Sequence, residues 1–292
     1  MKKLVKISLV SLLVGVILMF AGLCLTGFDF KKLSPNIMQT NTYEISESFE
    51  NISIDARSAD VRFAPSTNGK CTVVFHENKG ANHTISVSNN TLAVQATQQK
   101  WYAYIGINVE APSITIYLPE SELNSLIVKT NTGDVNMPSS FTCYMAVVET
   151  NTGDVEWNAS VHTTLSITTD TGDVKTAGML ATAIDLETDT GEIELSNVQC
   201  QTLSLEADTG DIDCENVIVA GKISIQTNTG DVDLEGCDAS SLWIKTSTGD
   251  VRGRLLTDKT YVYKTSTGKV RVPDTTGGRC EITTSTGDIY FR

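Results

Sequence analysis

Residues 169–174 read Thr169-Asp170-Thr171-Gly172-Asp173-Val174. The same pattern, Thr-x-Thr-Gly-Asp-Val, occurs nine times with little variation. Each copy is centred on a glycine, and the nine glycines are Gly133, Gly153, Gly172, Gly191, Gly210, Gly230, Gly249, Gly268 and Gly287. Successive glycines lie 19 or 20 residues apart. A period as regular as this predicts one structural unit that is stacked on itself.

Apolar and polar residues alternate in each copy, which is typical of a strand with one buried face. In the copy around Gly172, Leu165 and Ile167 precede the glycine and Val174 follows it. The glycine itself suits a sharp corner between two strands, because a positive φ costs glycine least. We therefore predict an all-β β-solenoid over residues 126–292, with about nine coils of 19–20 residues, each about 4.8 Å from the next.

The amino terminus has the composition of a membrane segment. Residues 1–32 contain five lysines and one aspartate, and residues 7–28 form an uncharged run. At about 1.5 Å per residue, a helix of that length crosses the hydrocarbon core. We predict that residues 1–32 form a cytoplasmic tip and a single-pass transmembrane signal-anchor helix in the cell membrane, with residues 7–28 in the bilayer and the C-terminal domain extracellular. A cleaved signal peptide is the alternative.

Residues 33–44 are predicted to be a linker, and residues 45–125 to be a degenerate first coil with an inserted β-rich cap. The segment 56–61 resembles the repeat, with Ala59 in the place of the glycine. The aromatic cluster at residues 101–105 is interpreted as packing of the cap onto its first coil. The last strand reaches Arg292 without a visible cap, so the C-terminal coil is a candidate surface for self-association.

These residues resemble a known bacterial family. The nine repeats, the opening Ile-Ser-Ile-Asp-Ala-Arg-Ser-Ala-Asp-Val at residues 52–61 and the Ile-Tyr-Leu-Pro at residues 116–119 are similar to the "putative adhesin" family of β-strand-repeat domains of unknown function. The resemblance covers about residues 45–292. It implies a role at the cell surface or in the cell envelope, because related domains occur in cell-envelope stress-response proteins. It implies no catalytic residues.

The charge of the chain limits the partners that it can take. Lys and Arg number 22 and Asp and Glu number 35, a formal net charge of −13. A chain this acidic repels phosphate, so we expect no nucleic-acid partner. Residues 130–240 hold 20 acidic and two basic residues, whereas residues 241–292 hold five acidic and nine basic residues. This polarity suits contact of the basic end with the acidic middle of another molecule or with a polyanion of the cell wall. The alternative is a solvated surface that keeps the protein soluble.

Acidic residues beside the glycines form one candidate metal site. In three successive copies an acid stands on both sides of the glycine, as the pairs Asp170/Asp173, Asp189/Glu192 and Asp208/Asp211. Oxygen-rich groups of this kind suit Ca²⁺, which takes six to eight oxygen ligands. The alternative is that these side chains cap turns and face water. Two charges 4.8 Å apart in water repel by only about 0.9 kcal/mol, so the column does not require a metal.

The sequence contains none of the common catalytic patterns. Gly-x-Ser-x-Gly, His-Glu-x-x-His and a phosphate-binding loop are absent, and the cysteines have no zinc-site spacing. We therefore predict a non-enzymatic, membrane-anchored surface β-solenoid that acts as an adhesin or envelope scaffold and binds a cell-wall polymer, a glycan or an envelope protein. One alternative is a cell-envelope stress regulatory module that binds a membrane protein or peptide. Another is a carbohydrate-active β-helix enzyme.

Overall fold

A computed structural model describes residues 2–25, 38–79, 83–97, 111–119 and 122–292. These residues form one helix, α1 Lys2–Leu25, and 26 strands. The strands are β1 Met38–Ile45, β2 Asn51–Arg57, β3 Asp60–Pro65, β4 Cys71–Asn78, β5 His83–Ser88, β6 Thr91–Ala96, β7 Ser113–Leu118, β8 Leu123–Thr132, β9 Val135–Met137, β10 Thr142–Thr152, β11 Val155–Trp157, β12 Ser160–Val161, β13 Thr164–Thr171, β14 Val174–Ala177, β15 Ala183–Thr190, β16 Ile193–Ser196, β17 Gln199–Cys200, β18 Thr202–Thr209, β19 Ile212–Glu215, β20 Ile218–Thr229, β21 Val232–Thr248, β22 Val251–Leu255, β23 Lys259–Lys264, β24 Val270–Arg271, β25 Gly278–Thr283 and β26 Ile289–Phe291. The aromatic cluster at 101–105 lies outside the described residues.

Each repeat forms one coil of a β-solenoid, with a longer strand before the glycine and a shorter strand after it. In the coil around Gly172 these strands are β13 and β14. The strands before the glycines stack in parallel in one sheet, here named sheet B, and the strands after them stack in sheet A. The register advances by one repeat per coil, since Leu165 pairs with Ile184 and Val174 with Ile193. The predicted β-solenoid with aligned corners is confirmed.

The core lies between the two sheets and is made from the alternating apolar positions. Leu165, Ile167 and Val174 are fully buried, as are their equivalents in most other coils. Because parallel strands stack at about 4.8 Å, each side chain packs on the same position of the coils above and below it. A single coil therefore cannot bury its apolar face alone, and the stability of each coil depends on its neighbours.

Helix α1 begins at Lys2 and ends at Leu25, within the segment predicted to anchor the chain. In the part of the chain that the structure describes, no helix combines the length and apolarity needed to cross a membrane. Residues 38–45, most of which the sequence assigns to a linker, instead form β1, which pairs antiparallel with β4. The side chains of β1 are all exposed or half-buried, so none is in the core. The segment therefore lacks the alternation of apolar and polar residues that would predict a strand.

At the N-terminal end, β2 and β3 form a coil that stacks on the first full repeat. The backbone of Ala59 faces Gly133, so Ala59 occupies the corner position that glycine holds elsewhere. A second coil, made of β6 and β7, lies outside this one and pairs with it in parallel. Antiparallel strands then cover both edges: β5 pairs with β6 in sheet B, and β4 with β7 in sheet A.

At the other end, the last two coils exchange their order. Strand β25 lies between β21 and β23, and β26 lies between β22 and β24. The coil that ends at Arg292 is therefore inside the stack, and the coil of residues 259–271 is outermost. The expectation that the C-terminal coil is the open end is wrong. At the open end Tyr263 is 50% exposed, whereas Ile282, its equivalent in the last coil, is fully buried.

Candidate functional site

The glycine corners bring successive coils together at one long edge of the molecule. Gly191 has φ +154°, and a Cβ atom on it would lie less than 3.0 Å from the carbonyl oxygen of Gly172. The next corner repeats this geometry, with Gly210 against Gly191. Backbone therefore packs directly on backbone, which only glycine permits. The single file of corners places the residues beside the glycines in straight columns along the edge.

Buried threonines fix the corners from the inside. The Thr188 hydroxyl donates to the Gly172 carbonyl at 3.1 Å, and the Thr227 hydroxyl donates to the Gly210 carbonyl at 3.2 Å. The threonines that make such a bond to a corner glycine are Thr169, Thr188, Thr227, Thr246, Thr265 and Thr284. Ala207 holds this position in its coil and has no hydroxyl to give to Gly191. The column thus supplies hydrogen-bond donors to the carbonyl groups of the corner glycines.

The carboxylates that follow the glycines bond to the backbone of the next coil. The Glu192 backbone N–H donates to Asp173 Oδ1 at 2.9 Å, and the Asp250 N–H donates to Asp231 Oδ1 at 2.8 Å. The series runs along most of the edge, in the pairs Asp60–Asp134, Asp134–Asp154, Asp154–Asp173, Asp173–Glu192, Asp211–Asp231, Asp231–Asp250, Asp250–Asp288 and Asp288–Lys269. It is interrupted at Glu192, whose longer side chain makes no such bond to Asp211 within the described ranges. These carboxylates act as acceptors that hold coils in register.

The carboxylates two residues before the glycines remain at the surface. Asp170, Asp189 and Asp208 are exposed, and Asp208 accepts a hydrogen bond of 2.8 Å from the Asn228 side chain. Across the residues that the structure describes, no group of three or more His, Cys, Asp or Glu side chains is arranged to hold a metal ion. The calcium hypothesis for this edge gains no support from the geometry.

A second acidic surface lies on the outer face of sheet A. Glu194, Asp213 and Asp233 are neighbours on successive strands, and Glu215 pairs with Glu235 beside them. Together they line an open cavity of about 300 Å³. Burial, together with repulsion from nearby Glu192 and Asp233, raises the pKa of Asp213 to about 6. This surface is here named the acidic face.

Basic side chains form ion pairs with acidic residues at both edges of the acidic face. Arg252 binds Asp231 at 3.1 Å and also Asp250, and Arg254 binds Glu235. On the opposite side, Lys175 binds Glu194 at 3.2 Å. The sequence reasoning missed this face, because it followed the residues adjacent to the glycines. The sequence does contain a pattern that indicates this face. At the position three residues after the glycine, four of the six successive repeats from Gly153 to Gly249 have an acidic residue.

The cysteines do not form a reactive site. All six that lie outside α1 are buried and free. Burial raises the pKa of the Cys143 thiol to about 12 and that of the Cys237 thiol to about 11, so both stay protonated at neutral pH. Cys214, Cys237 and Cys280 occupy inward, buried positions. They serve as small apolar residues of the core.

The model of the Toastrack DUF4097 family matches residues 49–290 of this chain. Three solved structures are also similar. A "putative adhesin" from Parabacteroides distasonis is 14% identical, with a TM-score of 0.58, and the match covers 88% of this chain and 98% of that one. A "putative adhesin" from Bacteroides fragilis is 17% identical, with a TM-score of 0.48, and the match covers 88% of this chain and 97% of that one. A "putative lipid binding protein" from P. distasonis is 15% identical with a TM-score of 0.44, covering 89% and 98%. At these identities the first likeness shows the fold alone. No curated protein sequence matches the chain.

Proposed function

Because the chain belongs to the Toastrack DUF4097 family, we propose that it is a non-enzymatic β-solenoid that presents long charged surfaces for adhesion or for contacts within the cell envelope. The observation that carries the proposal is the acidic face, where Glu194, Asp213 and Asp233 stand side by side. The charge on Asp213 lowers stability at neutral pH, since burial and repulsion from Glu192 and Asp233 raise its pKa. Side chains that lower stability are commonly retained for function.

The corner carboxylates favour a scaffold over an enzyme. A general acid or base needs a carboxylate that is free to exchange a proton with a substrate. Asp173 and Asp231 instead accept backbone N–H groups of the next coil. The repeat also runs through the edge without the special loops that usually build a catalytic site.

The proposal includes a tether to the cell membrane at the N-terminus, and this part rests on the sequence. Lys2, Lys3 and Lys6 precede the uncharged run of residues 7–28. Positive residues before an apolar run favour a cytoplasmic N-terminus, which would place the solenoid outside the cell. Intact mass of the membrane-extracted protein tests it, because loss of the first 20–30 residues would show cleavage instead of anchoring.

In-cell cross-linking tests the adhesive function. A photoreactive amino acid at position 213 of the full-length chain reports on the acidic face, and the same group at the exposed position 187, on sheet B, is the matched control. We expect position 213 to give products that a cell-wall hydrolase or glycosidase digests, and position 187 to give fewer. A single discrete protein product at position 213 would favour the stress-regulatory alternative, and the absence of any product at both positions would reject surface contact.

A further inference from the structure

The outer face of sheet B changes character near the C-terminal end of the stack. On β21, Trp243 points outward, between the inward-facing Leu242 and Ile244. The same outward column in earlier coils holds aliphatic, serine or acidic side chains: Ile127, Val147, Ser166, Asp185, Ser204 and Ser224. Trp243 is only half-buried. A large aromatic ring thus follows four coils whose residues in this column are serine or aspartate.

Three lysines lie on the same outer face of sheet B as this ring. The Nζ atom of Lys222 lies 5.5 Å from the centre of the Trp243 ring, Lys245 follows Trp243 on the same face of β21, and Lys264 lies two strands further along the stack. None of these three lysines has an ion-pair partner among the described residues, and Lys222, Lys245 and Lys264 are all exposed. Elsewhere on the outer faces lysines are paired, as in Lys129–Glu149 at 2.6 Å.

The one acidic residue next to Trp243 is already neutralised. Glu281 pairs with Trp243 in the sheet register, and Arg279 binds Glu281 at 2.8 Å. Nearby, Lys259 is buried and donates to Asp238, to the Ala239 carbonyl and to Thr257, so it has no proton left for a ligand. The positive charge that is available to a ligand therefore comes from the three exposed lysines.

Short polar side chains complete the surface. Ser224, Ser241 and Thr283 lie beside Trp243 and the lysines in the register of sheet B. The four strands involved, β20, β21, β25 and β23, span about 14 Å at the usual strand spacing. Hydroxyl groups of this kind can exchange hydrogen bonds with sugar hydroxyls, and an aromatic face packs against the apolar face of a sugar ring.

We propose that Trp243, Lys222, Lys245 and Lys264 form a binding site for an anionic polysaccharide, with the ring stacked on one sugar and the lysines paired with carboxylate or phosphate groups along the chain. Charge complementarity supports this occupant, because the patch is cationic on a protein with a net charge of −13. The patch lies on sheet B, so it adds a second, anion-binding surface to the acidic face on sheet A. This inference rests on the proposed adhesive function and names the ligand class of that second surface.

Binding of the purified full-length chain to three polymers tests the site. The probes are polygalacturonate, which carries carboxylates, a capsular polysaccharide whose sugars are joined by phosphodiesters, and neutral dextran. We expect at least one anionic polymer to bind about tenfold more tightly than dextran, and its affinity to fall as salt rises. The preferred anionic polymer distinguishes the carboxylate from the phosphate source.

Two variants and one matched control separate the site from general charge. The first variant is Trp243→Ala, and the second combines Lys222→Gln, Lys245→Gln and Lys264→Gln. Each should weaken binding of the anionic polymer about tenfold. Binding by the triple variant should also no longer depend on salt. Trp243→Phe should restore most of the binding. Lys70→Gln with Lys129→Gln and Lys269→Gln removes the same charge at other exposed sites and should leave binding nearly unchanged. Equal melting temperatures would show that all variants fold.

Three outcomes would overturn the proposal. If both triple variants bind equally, the patch is not the site, although the adhesive function stands. If neither anionic polymer binds the wild-type chain, the polysaccharide assignment is wrong, and the cross-linking experiment judges the adhesive function independently. If single-stranded DNA binds through Trp243 and the lysines more tightly than either glycan, the patch recognises a different polyanion.

Discussion

At the scale of the residue, the geometry of the corners explains why glycine recurs with so little exception. Gly191 combines φ +154° with a carbonyl oxygen packed against its Cα. Either condition disfavours a side chain, and the two act together. The threonine and aspartate on either side of the corner then satisfy the backbone groups that such close packing brings together.

Replacement of Gly191 by alanine tests the close approach. We expect Gly191→Ala to lower the free energy of unfolding by more than about 2 kcal/mol, because the new Cβ collides with the Gly172 carbonyl and must adopt a strained φ. Gly178→Ala is the matched control, since Gly178 has φ +66° but open space around its Cα. Urea unfolding measures both. Equal losses would show that φ strain alone, and not the approach of the backbone, explains the glycines.

The pKa of Asp213 leads to a prediction about pH. Its folded-state pKa, about 6, lies above its unfolded value of 3.8, so the folded state binds a proton between these pH values that the unfolded state does not. The contribution of Asp213 to stability should therefore rise as pH falls from 6 to 4. Asp213→Asn should raise the melting temperature at pH 7 and have almost no effect at pH 4. A gain that is equal at both pH values would contradict the prediction.

At the scale of the element, the columns of threonine and aspartate hold the strands in register. The threonine column lacks a hydroxyl at Ala207, and the Thr150 hydroxyl in the same column makes no hydrogen bond to a described residue, whereas the carboxylate column is interrupted at Glu192. A shift of one residue would move every apolar side chain to the wrong face, so register in a buried sheet is strongly specified. The columns add hydrogen bonds that only the correct register can make.

Restoring the missing hydroxyl should stabilise the protein. Thr188 and Thr227, on either side of Ala207 in the stack, show that a threonine fits this column. Ala207→Val adds nearly the same volume without the hydroxyl and is the matched control. We expect Ala207→Thr to exceed Ala207→Val in free energy of unfolding by about 1 kcal/mol, through a new bond to the Gly191 carbonyl. A valine variant as stable as the threonine variant would show that packing, and not the hydrogen bond, decides this position.

At the scale of the whole molecule, the two ends of the solenoid are closed in different ways. Antiparallel strands cover the N-terminal end, whereas at the other end the outermost coil is followed in sequence by a coil that lies beneath it. The outermost coil carries Lys264, Lys269 and Arg271, which are all exposed. Lysine on an edge strand disfavours pairing with another edge, so this open end is protected by charge.

The exchanged order predicts the effect of a truncation. A chain that ends at residue 277 lacks the coil that lies between residues 242–255 and residues 259–271. We expect the coil of residues 259–271 to lose its hydrogen-exchange protection entirely, because its only parallel partner in the described structure is gone. The control is a chain that ends at residue 258 and so lacks both outermost coils. Residues 242–255 should have the same hydrogen-exchange protection in both truncated chains. Persistent protection of residues 259–271 in the longer truncation would show that this coil can dock directly on residues 242–255.

The β-solenoid, its period and the inward residues of nearly every coil follow from the repeat pattern. They do so because each coil repeats the same short-range requirements: a glycine at the corner and apolar side chains at every second position. The acids of sheet A follow a pattern that recurs three residues after the glycines, and Lys222 and Trp243 lie on consecutive repeats. The tertiary structure was needed to show which coil ends the stack, and that β25 separates Lys264 from Lys245. These features depend on which strand lies beside which, and because every repeat offers its neighbours nearly the same edge, local pattern does not fix that order.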